Sequence, residues 1–197
     1  SERESLTDNP NRLRLFALLG VRYILESKLG EHKEELTSDV RFPPRIFSLV
    51  WENERWRIWQ YSQALDRAFI APSFVVEKDR QKIVDMLLDQ EFDLQKRIIV
   101  EEPVSELVAD SLEFDNEGKV TIESYQPSKV IIKSTSKSSG LVFLSDNYAS
   151  GWKAFVDGQP VKIYRANYSF RAVPVNEGEH VVTFVYSPDS LKVGIIL

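Results

Sequence analysis

Two textures of hydrophobic and polar positions divide the chain. In the first, helical and strand periods interleave. Residues 8–20 (DNPNRLRLFALLG) set Leu13, Phe16 and Ala17 on one face of a short helix, with Asn9 as its cap, Pro10 in its first turn and Gly20 as its stop. Residues 21–25 (VRYIL) then predict a buried strand, and the charged stretch 26–45, ending in Pro43-Pro44, a mobile loop. Residues 46–61 (IFSLVWENERWRIWQY) predict an aromatic-rich hairpin turning near Asn53. An extended run over 67–76, broken at Pro72, precedes a helix over 78–90 with Ile83, Met86 and Leu87 at helical spacing, and a strand follows at 97–102.

Beyond Pro103 the helical period disappears. Strands are predicted at 119–125, 128–134, 140–145, 152–156, 161–164, 169–173 and 180–186. Turn signals separate them about every ten residues: Asn116-Glu117-Gly118, Gln126-Pro127, Ser138-Ser139-Gly140, Asp157-Gly158, Arg165-Ala166-Asn167 and Asn176-Glu177-Gly178. That spacing is the mark of an antiparallel β-sandwich, and Asp157-Gly158 suits a tight hairpin turn. The expected class is α+β: a mixed α/β subdomain over 1–105, a boundary near 103–110, and a β-sandwich over 106–190.

Composition narrows the function classes only a little. The 197 residues carry a net charge of -5, which argues mildly against nucleic acid or an anionic membrane surface as main partner. The chain has no cysteine, so disulfides, thiolate catalysis and cysteine-ligated metals are ruled out. No run approaches the ~20 apolar residues of a membrane span, and none reads as a signal peptide. The first residue is Ser, which suggests a cut or processed start, and residues 190–197 (SLKVGIIL) turn apolar, as a last buried strand or the first turn of a trimmed membrane helix would.

Candidate chemistry is sparse. The two histidines, His32 and His180, form no zinc-type pair, and there is no nucleophile elbow, P-loop or dinucleotide fingerprint. Nothing calls for a cofactor. Asp146 and Asp157 could be drawn as paired carboxylates or, at Asp146-Asn147, as calcium ligands, but solvated turn carboxylates account for them better. Trp51, Trp56, Trp59 and Trp152 suit core or cross-strand roles more than ligand platforms. If one is a platform it is Trp152, which follows Tyr148 and Gly151 at a loop-to-strand junction; beside it Asp146, Asn147, Arg165 and Asn167 could hydrogen-bond sugar hydroxyls.

Residues 144–188 carry a denser signature: Tyr148, Gly151-Trp152, Asp157-Gly158, Tyr164-Arg165-Ala166-Asn167, Phe170-Arg171-Ala172-Val173, Gly178-Glu179-His180 and Tyr186-Ser187-Pro188. This pattern resembles the extracytoplasmic C-terminal region of the YfhO-like bacterial membrane proteins. The segments NRLRLFALLGVRYIL and VWENERWRIWQYSQALDRAFIAPSF are similar to the stretches that precede it in that family. Ala149-Ser150 stands where such proteins often have Pro, and Asp66 where Pro commonly precedes Arg67. The resemblance implies a parent with many membrane helices, similar to lipid-linked-sugar glycosyltransferases, lodged in the cell membrane with this domain on the extracytoplasmic face. In that class the catalytic acid lies in an early loop outside this chain, so no residue here is implied as catalytic. The resemblance also implies that 191–197 enters a membrane helix.

Three readings follow. The chain is a non-catalytic domain that positions a cell-envelope glycan or polymer acceptor, a free carbohydrate-binding module, or a structural and assembly domain without a ligand. None involves nucleic acid.

Overall fold

Asn9 opens the first helix by accepting a hydrogen bond from the Asn11 amide at 3.0 Å, which satisfies one of the donors a helix start leaves open. In this computed structural model, which describes residues 9–28, 41–105 and 118–188, the helix α1 spans Pro10–Leu18 and buries Ala17 and Leu18, with Leu13 and Phe16 half-buried. The chain divides into two compact units, Ser1–Asp66 and Arg67–Leu197.

In the first unit a three-stranded antiparallel sheet follows α1: β1 (Tyr23–Ser27), β2 (Phe47–Glu52) and β3 (Trp56–Tyr61), in the order β1-β3-β2. The hairpin turns where expected, because the Asn53 side chain accepts the amides of Arg55 and Trp56 at 2.8 Å each. One sheet face packs Phe47, Trp59 and Tyr61 with Phe42, whose ring stacks on Trp59 at 4.7 Å. The Tyr61 hydroxyl ties this face to α1 by donating to the Leu13 carbonyl at 3.1 Å. The strand expected at 21–25 forms, but it is covered on one side only: Tyr23 and Leu25 are exposed. An apolar run reads the same whether one face or both are covered.

The second unit is mostly β. A five-stranded sheet has the order β11-β10-β14-β8-β7 and a six-stranded sheet the order β4-β9-β13-β12-β6-β5. Their strands are β4 (Ala68–Ala71), β5 (Ser73–Val76), β6 (Arg97–Val100), β7 (Lys119–Gln126), β8 (Lys129–Ser136), β9 (Gly140–Leu144), β10 (Trp152–Val156), β11 (Gln159–Val161), β12 (Tyr164–Ala166), β13 (Phe170–Val175) and β14 (Gly178–Tyr186). Helix α2 (Arg80–Leu88), capped by Asp79, links the parallel pair β5 and β6 and buries Ile83 and Leu87. The composition change at 103–110 lies within this unit, and β4, β5 and β6 pair into the same sheet as β9, β12 and β13.

The two sheets enclose one core between Val142, Leu144, Val173 and Val175 on one side and Val130, Ile132, Val182 and Phe184 on the other. A second cluster, including Leu141, Phe143, Phe170 and Ala172, fills the opposite face of the six-stranded sheet. Successive strand residues point to opposite faces, so covering both faces requires every position of β9 and β13 to be buried, as they are. The strand expected at 161–164 is instead two: β11 pairs in the five-stranded sheet and β12 in the other, with the chain changing sheets at Lys162-Ile163. His32, Asn116-Glu117 and the tail 191–197 fall outside the described residues.

The Asp157-Gly158 turn has φ of 51° and 81°, the left-handed geometry of a two-residue hairpin. It is latched to β14: Asp157 accepts the Val181 amide at 2.8 Å and meets His180 Nδ1 at 2.7 Å. The Asp157 carboxylate raises the His180 imidazole above its ordinary 6.5, burial opposing, while the Val181 amide and then His180 hold Asp157 below its ordinary 3.8. The raised group contributes stability that is lost as pH rises through its folded value, and the lowered one stability that is lost as pH falls through its own. The latch is therefore fully set between about pH 3.8 and 6.5. Wild-type chain is expected to melt higher at pH 6 than at pH 8.5, and His180→Gln to shrink that difference in a calorimetric pH series.

Candidate functional site

Arg171 organises the neighbourhood of the predicted site, although its chemistry was not among the candidates read from the sequence. It occupies an inward position of β13, between Phe170 and Ala172 on one face and in step with Val173 on the sandwich face. Its side chain is 1% exposed. The guanidinium lies 3.9 Å from the centre of the Trp152 ring and 4.9 Å from that of Phe184, both from the opposite sheet. Its Nη2 donates to Asp146 at 2.9 Å, while Nε and Nη1 meet no hydrogen-bonding atom among the described residues. The two π faces take the place of those bonds. Burial pulls the Arg171 guanidinium below its ordinary value, and Asp146 pushes back.

Asp146 follows β9 by two residues, where the Ser145 amide fixes the loop by donating to the Arg67 carbonyl at 2.8 Å. Its carboxylate accepts from Arg171, from Arg67 Nε and Nη2 at 3.1 and 3.0 Å, and from the Tyr125 hydroxyl at 3.0 Å. The Arg67 guanidinium lies over the Tyr125 ring at 4.4 Å. Burial first, and then Asp146, raises the Tyr125 phenol. With both oxygens so engaged, Asp146 serves as a counter-ion. Asp157, bound to β14 through His180 and Val181, is engaged elsewhere. Among the described residues, no three His, Asp or Glu side chains gather to hold a metal.

The other predicted residues separate by role. Asn167 is 3% exposed at φ 44°; its backbone amide donates to the Ile99 carbonyl at 2.8 Å and its side-chain oxygen accepts the Ile99 amide at 2.9 Å, so it extends the β12–β6 pairing. The turn expected at Arg165-Ala166-Asn167 accordingly begins at Asn167, with Arg165 and Ala166 in β12. Arg165 lies over the Tyr148 ring at 4.9 Å and 3.8 Å from Glu101. Asn147 is exposed. Trp152 packs its ring on Tyr186 at 5.4 Å as well as on Arg171. The Gly-Trp step has a steric cause: a Cβ on Gly151 would sit 2.5 Å from the Tyr186 ring.

Tyr148 and Trp152 also line an open groove of about 360 Å³ at the β11 edge, with Lys153, Phe155, Pro160 and Lys162. Lys162 reaches Glu102 at 2.6 Å. The structure thus brings two of the six predicted residues to the groove and sets Arg165 over the ring of one of them. A second hollow of about 380 Å³ includes Asp89, Asp93 and Arg97, but its two aspartates accept backbone amides of their own turns. Arg67, Tyr125 and Arg171 are the residues that sequence reasoning missed. Trp152→Ala strips one π face from Arg171 and is expected to lower the unfolding free energy by about 3 kcal/mol in urea titration; a loss below about 1 kcal/mol, typical of a surface ring, would contradict the packing role.

The family described as Bacterial membrane protein YfhO matches residues 77–197. No curated protein and no solved structure matches the chain. In the described residues no helix is long and apolar enough to cross a membrane. The family match takes in α2, the whole five-stranded sheet, the Arg171 cluster apart from Arg67, and the groove, and the chain belongs to the YfhO family of bacterial membrane proteins.

Proposed function

We propose that this chain is a non-catalytic extracytoplasmic domain of a multi-spanning membrane protein similar to lipid-linked-sugar glycosyltransferases, and that it holds a cell-envelope glycan or polymer acceptor. The groove along Tyr148 and Trp152 carries the reading. It offers aromatic surface for sugar rings, with lysine and serine groups at hand for hydroxyls, the mix of apolar walls and few polar groups that small-ligand sites use. In this proposal Tyr148 is the stacking residue, Arg165 braces it from behind, and Asn147 reaches the ligand from the loop. Trp152 supplies a wall, and Asp146 and Asn167 position the loop and turn.

A second reading, a structural domain without a ligand, is favoured by one observation: Asp146 and Trp152 are committed to Arg171. Titrating cell-wall oligosaccharides into the chain separates the two. The glycan reading expects amide NMR shifts at Tyr148, Ser150 and Lys153 at roughly millimolar ligand, and Tyr148→Ala to weaken binding about tenfold or more with the melting temperature unchanged. If no oligosaccharide perturbs these amides, the groove holds no sugar and the structural reading stands.

A further inference from the structure

The three-stranded sheet of the first unit has one packed face and one open face. On the open face stand Tyr23 and Leu25 of β1, Trp51 of β2, and Trp56 and Ile58 of β3. The register sets Leu25, Ile58 and Trp51 in one cross-strand row. Tyr23 is 58% exposed, Leu25 59%, Trp51 48% and Trp56 40%. Between them come the neutral Ser27, Ser48 and Gln60, so among the described strand residues the face carries no formal charge. The charges of these strands lie on the other face, where Lys28, Glu52, Arg57, Glu26 and Arg41 form a chain of ion pairs from 2.7 to 3.7 Å. Scattered exposed apolar residues are ordinary, whereas a contiguous charge-free patch marks an interaction surface.

We infer that this face docks on the headgroup region of a net-neutral phospholipid bilayer. Trp and Tyr favour that zone because their rings are apolar at one end and wet at the other, and Leu25 and Ile58 supply the aliphatic part that enters the acyl boundary. A glycan fits less well: the central row places Leu25 and Ile58, which offer no stacking plane, and the described strand residues put no carboxylate or guanidinium on the face to fix hydroxyls. Charge points the same way. A chain of net charge -5 gains nothing from anionic lipid, and a face without charges suits a zwitterionic surface. Membership of a membrane-protein family makes a bilayer an available partner. The inference does not depend on the groove or its ligand.

The test uses the 197-residue chain and phosphatidylcholine vesicles. Cosedimentation with the vesicles is expected, with a blue shift of tryptophan emission and quenching by brominated lipid, all unchanged between low and high salt. Trp51→Ser combined with Leu25→Ser is expected to cut the partition constant about tenfold or more while leaving the melting temperature in place, and Trp152→Phe to leave partitioning untouched. Five results would overturn the inference: no partitioning; partitioning confined to anionic vesicles and lost in salt; partitioning that the double variant keeps; a concentration-dependent dimer in place of any vesicle effect; or an oligosaccharide shift at Trp51 and Trp56 in its place.

Discussion

A guanidinium group inside a β-sandwich has to be answered by something, and the second unit is arranged around that answer. Arg171 sits on the sandwich face of β13, in step with Val173 and Val175. Removing a charge from water costs several kcal/mol unless a counter-charge and polar or π partners replace the solvent. Asp146 provides the counter-charge, and Trp152 and Phe184 provide ring faces from across the sandwich. Three further features serve the same cluster. Arg67 and Tyr125 fill the remaining positions on Asp146. Tyr186 leans on Trp152. Gly151 leaves room for Tyr186, whose ring a methyl group would meet at 2.5 Å.

That arrangement decides which residues are left for a ligand. Asp146 has its oxygens taken up by two arginines and a phenol. Trp152 has one ring face on Arg171 and is packed by Tyr186. Asn167 is a backbone mimic for Ile99. The cluster thereby holds the loop from Ser145 to Gly151 in one shape, and Tyr148 is presented at the groove by that loop, its amide tied to the Ser169 carbonyl at 2.7 Å. The fold supplies the position, and the groove edge supplies the surface.

Much of this could be read from the sequence. Alternation and turn residues located the strands after residue 118, the Asn53 hairpin and the two helices of the described residues, because each rests on local chemistry: capping by Asn9 and Asp79, left-handed φ at Asp157 and Gly158. The density of the 145–173 stretch identified the family. What could not be read is what depends on two distant segments meeting. Asp146 and Arg171 are 25 positions apart, Arg67 and Asp146 are 79. Tyr164 and Arg165 read as the end of one strand and the start of a turn, whereas they begin a strand in the other sheet. The one local hint was Arg171 itself, a charge at an inward position of an otherwise apolar run, which in a two-sided strand implies a buried partner. The exposure of Tyr23 and Leu25 was equally hidden, since coverage of a sheet face is a tertiary fact.

Asp146 and Arg171 act as a buried pair, and a double-mutant cycle on unfolding free energy tests their coupling directly. Asp146→Asn alone is expected to cost about 3–5 kcal/mol, since it leaves the Arg171 charge buried and unanswered, and Arg171→Met alone less, since Arg67 and Tyr125 still answer Asp146. The double variant removes both charges and is expected to lose well under the sum, with a coupling energy of about 1.5–3 kcal/mol. Losses that add to within about 0.5 kcal/mol would show that the two side chains act independently, and would contradict the account.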